Sequence, residues 1–453
     1  MVNCEKLLKE IEGGAAAVKE KTKFVTAAVL LCLVLVLLVA VISPAVPSGE
    51  KTEPEAERTV VTLVYAYQNT KWSASVEEVI RRFEAENPHI DIQYKVRYED
   101  NVYEDTLYKL AARDELGDIM QIKEPYAWAE SGLIAELPAV LTDRVSTTCT
   151  VDGKVYGVCA LGTTTGIVYN KAIFDQLGLS APENYEDFLR ICGVLKENGI
   201  APLGFGGKDL WHFEYWLNHF LRTDVLSKQP DFLAQCSAGE RDWNDPLITD
   251  MLTHYNELFV LGYVDERWPS TADGALAVHL ADGQFAMAFS GPWLASAVLS
   301  VEPELELGWL YVPGTAGEIV AGDSLDVFWT VSADCARDEA RYEAAVAFLE
   351  FFYSEGMYEE VYAAAAGFST LTDADRPGPE ADGVLAEANE AYSKADQRIR
   401  AYVGDENTPP GFEKKLLTLL SRMCAGELTV EETQALAAQY WEECLRQEVS
   451  YEH

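Results

Sequence analysis

The stretch SGPWLAS, residues Ser290 to Ser296, sets a tryptophan directly behind a glycine and a proline, at the end of the apolar run FAMAF. Glycine and proline stop a strand and fix a turn, so the Trp293 indole is expected to emerge from a loop, where it meets a ligand or caps a core. Other residue types that do chemistry are scattered. The 6 histidines, at 89, 212, 219, 254, 279 and 453, show no metal-ligand clustering. No GxSxG elbow, HExxH helix or GxxxxGK(S/T) loop occurs, and GFGGKD (204–209) lacks the phosphate-loop spacing. A glycosidase needs two carboxylates at a set separation. With 74 Asp and Glu residues some pair is always on hand, so their presence discriminates nothing. The sequence points to no catalytic residue, metal or cofactor.

At 453 residues, with 49% hydrophobic and 11% aromatic residues, the chain can bury a large core in two or three domains or lobes. A formal net charge of −39 without a dense Lys/Arg cluster excludes nucleic acid as a partner and reads as a solvated acidic surface. Phe24 to Ile42 is a run of 19 uncharged residues preceded by Lys19, Lys21 and Lys23, long enough to cross a bilayer with residues 1–23 as a cytoplasmic leader. Ser43-Pro44-Ala45 offers a mediocre cleavage site for a signal peptide. The run exceeds a usual signal core, which favours an uncleaved anchor and places the rest of the chain outside the cell. Of the 9 cysteines, those at 149, 159, 192, 236, 335, 424 and 444 come after this segment, an odd set without CxxC pairs. Such a set is read as scattered buried thiols, with one or two bridges as the alternative.

Residues 43–58 (SPAVPSGEKTEPEAER) form a solvated linker. VVTLVYAY is β-rich, SVEEVIRRFEAENP carries Val76, Val79, Ile80 and Phe83 at helical spacing, and IDIQYKVRY alternates with period two. Strand, helix, strand in that order predicts a parallel sheet in an α/β lobe. A strand at GDIMQI, a short helix near Trp128 and a hairpin turning at Asp152-Gly153 come next. The aromatic helix LWHFEYWLNHFL, strands in VEPELELGWLYVPG and SLDVFWTVSA, and helix after helix beyond Asp338 complete the pattern.

DGKVYGV, then GIVYNKAIFDQLGL and APENYEDFLRICGVLKENGIAPL, resemble the family 1 extracellular solute-binding proteins that deliver sugars to ABC importers. ADGQFAMAFSGPW, LGWLYVPG and EAAVAFLEFFYS sit in the order and spacing of the maltose-binding type, so the resemblance runs from about Thr59 to Gly367. It implies an α/β, two-lobed type II periplasmic-binding fold with crossings between the lobes, and a ligand held in the cleft between them. The lobes are expected at 59–162 plus about 323–375, and at 163–322 plus about 376–453. The implied function is capture of a carbohydrate, an oligosaccharide by its aromatics, by a monomer that delivers it to permease subunits.

In maltose-binding relatives the tryptophan of the GPW turn is one face of the sugar site, and Gly291-Pro292-Trp293 matches that motif. The apolar C–H face of a sugar ring lies flat on an indole, a contact worth about 1–3 kcal/mol by analogy with base stacking. By the same resemblance Lys71, in the loop NTKWSAS before a helix beginning near Ser75, meets sugar hydroxyls with Trp72 beside it. Glu124, with Tyr126 next to it, is the nearest acid to the family's hydroxyl-binding carboxylate. Thr163 stands where the maltose type carries a glutamate, which loses a two-oxygen acceptor and argues against maltose. Trp211 or His212 falls near the family's stacking tyrosine. Trp211, Phe213, Tyr215 and Trp216 cannot all face one side of a helix, and Trp211 is expected toward the ligand with Trp216 in the core. Asp323, Ser324 and Phe368 are further candidates at the rim. Two other functions stay open on the sequence: binding of a polyamine or other cation between carboxylates and aromatic walls, and a sugar-sensing co-receptor.

Overall fold

The computed structural model describes residues 58–66, 70–97, 103–123, 125–324, 327–364, 367, 369–371, 383–405 and 407–451. The leader, the apolar run 24–42 and the linker up to residue 57 lie outside these residues, as do Glu124 and Phe368. Among the described residues no helix is long and apolar enough to cross a membrane.

Strand β1 (Thr59–Ala66), the helix Thr70–Glu86 and β2 (Ile90–Arg97) occur in the expected order. The helix starts five residues ahead of Ser75, and this changes the role of Trp72. Positions 72, 76, 79, 80 and 83 then fall on one helical face, and all five side chains are at most 5% exposed. Next come β3 (Ile119–Ile122), β4 (Thr148–Val151) and β5 (Lys154–Cys159). The β4–β5 hairpin turns on Asp152 and Gly153 with φ of 50° and 75°, the left-handed pair that a two-residue hairpin requires. The remaining strands are β6 (Thr163–Asn170), β7 (Ala201–Gly204), β8 (Phe285–Ser290), β9 (Leu307–Leu310), β10 (Val320–Ser324), β11 (Phe328–Val331) and β12 (Gln397–Ile399).

These strands form two sheets. The first has the order β2-β1-β3-β11-β5-β4, the second β12-β10-β6-β8-β7, with β9 also paired to β6. β1 is parallel to β2 and β3, as the strand-helix-strand order demands. β11 is antiparallel to both β3 and β5, so the first sheet is mixed rather than parallel. Two strands lack a sequence signal: VAGDS and QRI are too short and polar to alternate, and β12 interrupts the all-helical tail expected after Asp338.

Each sheet has its own core. Trp72, Trp329, Phe348 and Phe352 pack beneath the first, while Phe188, Trp216, Trp243 and Trp441 pack around the second. Among the described residues no buried cluster draws on both sheets. The helix Glu339–Phe352 is pinned to the first sheet through Asp118, a buried carboxylate that accepts from Thr62 N and Oγ1 at 2.8 Å and pairs with Arg341 Nη1 at 3.0 Å. Helices Phe412–Cys424 and Val430–Tyr451 return to the second sheet, where Trp441 packs edge-to-face with Phe412 at 4.8 Å and tilted against Trp243 at 5.6 Å. Cys192, Cys236 and Cys335 are buried thiols in no disulfide. Burial pushes the last two up to about 12, which keeps them protonated and unreactive.

A buried ionisable group makes this core acid-sensitive. Burial, with Arg222 and His254 adding to it, pushes His219 from 6.5 down to about 3. The unfolded chain then takes up a proton that the folded chain refuses, so stability falls as pH drops below about 6.5, by up to about 1.4 kcal/mol per pH unit. His254 acts in the opposite sense. Its hydrogen bond to Asp224, 2.9 Å away, raises its pKa, so that contribution is whole at low pH and is lost as pH rises through the raised value. His219→Asn should therefore flatten the acid limb of stability against pH by close to one proton, measured by urea unfolding at a series of pH values. An unchanged slope would show that the imidazole is hydrated in the folded protein.

Candidate functional site

The strand registers bring one end of each sheet to the same place. Thr163, the first residue of β6, pairs with Ser324, the last of β10. Cys159, the last residue of β5, pairs with Phe328, the first of β11. The chain therefore passes between the sheets in two adjacent connectors, from 159 to 163 and from 324 to 328, and a third time between β11 and β12; Ala160 N donates to Val327 O at 2.8 Å across the first two. On the second sheet, Gly166 pairs with Ser290 and Gly204 with Ala288, so β7 and β8 also end on this side. On the first sheet β1 and β3 end there, since Phe328 also pairs with Ile122 and Leu63 with Ile119.

The segments leaving β7 and β8 are aromatic. Gly204 leads into the short helical turn Leu210–His212 and the helix Phe213–Phe220. Phe213 and Trp216 are fully buried, while Trp211 and Tyr215, four apart and on one face, are half-buried. A network sets this turn: Asp273 N donates to Asp209 Oδ2 at 2.8 Å, and Asp273 Oδ1 lies 3.0 Å from His212 Nδ1. Ser290 leads directly into the helix Pro292–Val301, so Trp293 stands in a first helical turn rather than in a loop. Proline suits that first position, where an amide hydrogen would have no helical acceptor. Gly291 is required by contact: a Cβ there would lie 1.8 Å from Cζ3 of Trp293, because the indole folds back over it. Trp211 meets Tyr215 edge-on at 5.7 Å and 86°, and Tyr215 lies 6.5 Å from Trp293 at 43°, so the three rings form a contiguous but faceted aromatic wall on the second sheet. Across from it, Lys123 comes directly after β3 of the first sheet and holds its Nζ 5.8 Å from the Trp211 ring centroid.

Residues 68–359 match the family model described as bacterial extracellular solute-binding protein. The chain belongs to that family. Among relatives of this solute-binding protein, the multiple sugar-binding protein of Streptococcus mutans is 23% identical over 295 residues, 62% of this chain and 69% of its own length. The melibiose/raffinose/stachyose-binding protein of Bacillus subtilis is 24% identical over 424 residues, 87% of this chain and 92% of the relative. Among solved structures, a chitin oligosaccharide binding protein superposes with a TM-score of 0.76 at 21% identity, covering 86% of this chain and all of that one. A raffinose complex gives a TM-score of 0.68 at 22% identity over 84% of this chain and 99% of the other. The likeness to these structures establishes a shared two-sheet α/β architecture of the type II periplasmic-binding kind.

Within the solute-binding protein the candidate residues separate. Trp211 and Trp293 stand in the aromatic wall. Tyr126 opens the helix Tyr126–Glu130 just beyond β3, half-buried. Thr163 begins β6 beside the crossings; its Oγ1 is buried and has no hydrogen-bond partner among the described residues. Asp323 is placed by its backbone on β10, opposite Thr164, and Lys71 is the second residue of the helix Thr70–Glu86 rather than part of a loop. Two candidates are corrected. Trp72 is fully buried and stacked on Trp329 at 6.5 Å and 13°, because the early helix start turns it inward. His212 is also fully buried, edge-on to Phe205 at 4.8 Å and Tyr215 at 5.0 Å, which sets it behind the half-buried rings of the wall. Tyr215 and Lys123 are absent from the sequence-derived set. Tyr215 has a signal, the four-residue spacing from Trp211; Lys123 has none.

Trp72 as core has a measurable consequence. Trp72→Ala should cost about 3–5 kcal/mol of stability through the cavity it leaves, read as a lowered midpoint in denaturant unfolding. A change below about 1 kcal/mol would return the indole to the surface, where substitutions cost little.

Proposed function

We propose that this solute-binding protein captures an oligosaccharide in a cleft between two interlaced lobes and delivers it, unaltered, to the membrane subunits of an ABC importer on the outer face of the cell. The observation that carries this is the wall Trp211, Tyr215, Trp293 at the edge where the sheets adjoin. The two indoles, turned to different angles with Tyr215 between them, suit two or three sugar rings, a ring stacked on either indole by its C–H face gaining about 1–3 kcal/mol by analogy with base stacking. The names of the relatives, which bind multiple sugars, raffinose, stachyose or chitin oligosaccharide, agree with this class of ligand. Thr163 in place of a carboxylate leaves the maltose pattern of acceptors incomplete. The lobe division lies best within the two crossings, with β10 and Asp323 in the second lobe. The apolar run 24–42 supports retention at the membrane as an anchor.

Lys123 weighs against a polyamine. An ammonium 5.8 Å from the Trp211 ring occupies the kind of aromatic face that a cationic ligand would seek, and repels it.

Full-length protein in detergent should show a raised melting temperature with one or more of raffinose, stachyose and chitotriose. Ligand at 100 times its dissociation constant adds about 2.7 kcal/mol to stability. A rise with spermidine and none with saccharides would replace the sugar with a cation. Trp293→Ala should weaken saccharide binding about ten- to a hundredfold with a small effect on unfolding. Gly291→Ala should weaken it as well, because the new methyl displaces the indole without removing it. Calorimetric titration of both variants checks the pair, and undiminished affinity in both would take Trp293 out of the site.

A further inference from the structure

We infer that Lys123 is a ligand-contacting, specificity-determining residue: its ammonium and the Trp211 indole clamp one sugar ring between the two sheets, donating to a ring substituent and rejecting a positively charged one. This rests on the saccharide reading above. Lys123 and Trp211 follow strands of different sheets, so the gap between the ammonium and the indole face is the space a clamped ring would have to enter. A pyranose stacked on an indole lies about 3.5–4 Å from it, and an N–H···O bond adds about 2.7–3.2 Å, so a clamped ring needs about 6–7 Å. The observed 5.8 Å falls short by about 1 Å. A small hinge movement supplies that, whereas a gap of twice this width would leave the lysine out of reach.

The chemistry of the two jaws then sets what fits. An ammonium has three donors and no acceptor, so the group facing it must be an acceptor: a hydroxyl, a ring or glycosidic oxygen, an acetamido carbonyl or a carboxylate. A protonated amino sugar presents donors and like charge to it. The side chain is exposed, so removing it leaves the core of the first sheet intact.

The test is calorimetric titration of the full-length protein and its Lys123→Met and Lys123→Arg variants with raffinose and with chitotriose, then with the de-N-acetylated, protonated form of chitotriose. Lys123→Met should bind the better neutral saccharide about tenfold more weakly, with an unchanged unfolding midpoint, and Lys123→Arg should keep most of the affinity. The preference for N-acetylated over protonated trimer should narrow by a similar factor in Lys123→Met. Neutral-sugar affinity unchanged in Lys123→Met, or an unaltered preference, would overturn the clamp while leaving the oligosaccharide reading in place. No binding of either neutral saccharide by the unsubstituted protein would contradict that reading and the clamp together.

Discussion

The structure depends on a short tether used twice. Four Cα steps separate Cys159 from Thr163, and four separate Ser324 from Phe328, so each connector spans at most about 14 Å. The ends of each connector are paired with the ends of the other, Thr163 with Ser324 and Cys159 with Phe328. Two sheets with separate cores are thus held edge to edge at one line, and segments that leave strand ends there come close across it, as Lys123 and Trp211 do. The tether is also the place where the two cores can turn relative to each other. Packing resists change within each core, but no buried cluster among the described residues spans the two.

That constraint gives the aromatic wall its meaning. Trp211, Tyr215 and Trp293 come from two separate chain segments after β7 and β8, brought together because those strands end side by side. Each indole has a neighbour that constrains it: Trp211 lies against His212, whose ring Asp273 holds, and Trp293 closes over Gly291. A preset wall needs little reordering when a ring lands on it, which lowers the entropic cost of binding. In a chain of net charge −39, a lysine directed at this wall is a local exception that selects by chemistry rather than by steering.

Much of this is legible in the chain. The alternation of IDIQYKVRY, the Asp152-Gly153 turn and the GPW motif each correspond to a feature with a physical cause in the structure. The hidden features are hidden for physical reasons. β10 and β12 take their pairing from neighbours, not from their own composition. Trp72 moves from rim to core because the helix begins five residues earlier than its sequence pattern suggests, enough to rotate the side chain inward. Lys123 is a solitary lysine after a strand, and its contact lies 88 residues away at Trp211, a separation that local pattern cannot bridge.

The central claim is that two edges tethered at one line form a saccharide site lined by Trp211, Tyr215 and Trp293. Its most direct test is a crystal structure of the protein grown with raffinose or chitotriose. The account predicts sugar rings with their C–H faces against the Trp293 and Trp211 indoles, bounded on the far side by the first sheet. A saccharide held elsewhere, with both indoles touching only protein, would contradict it.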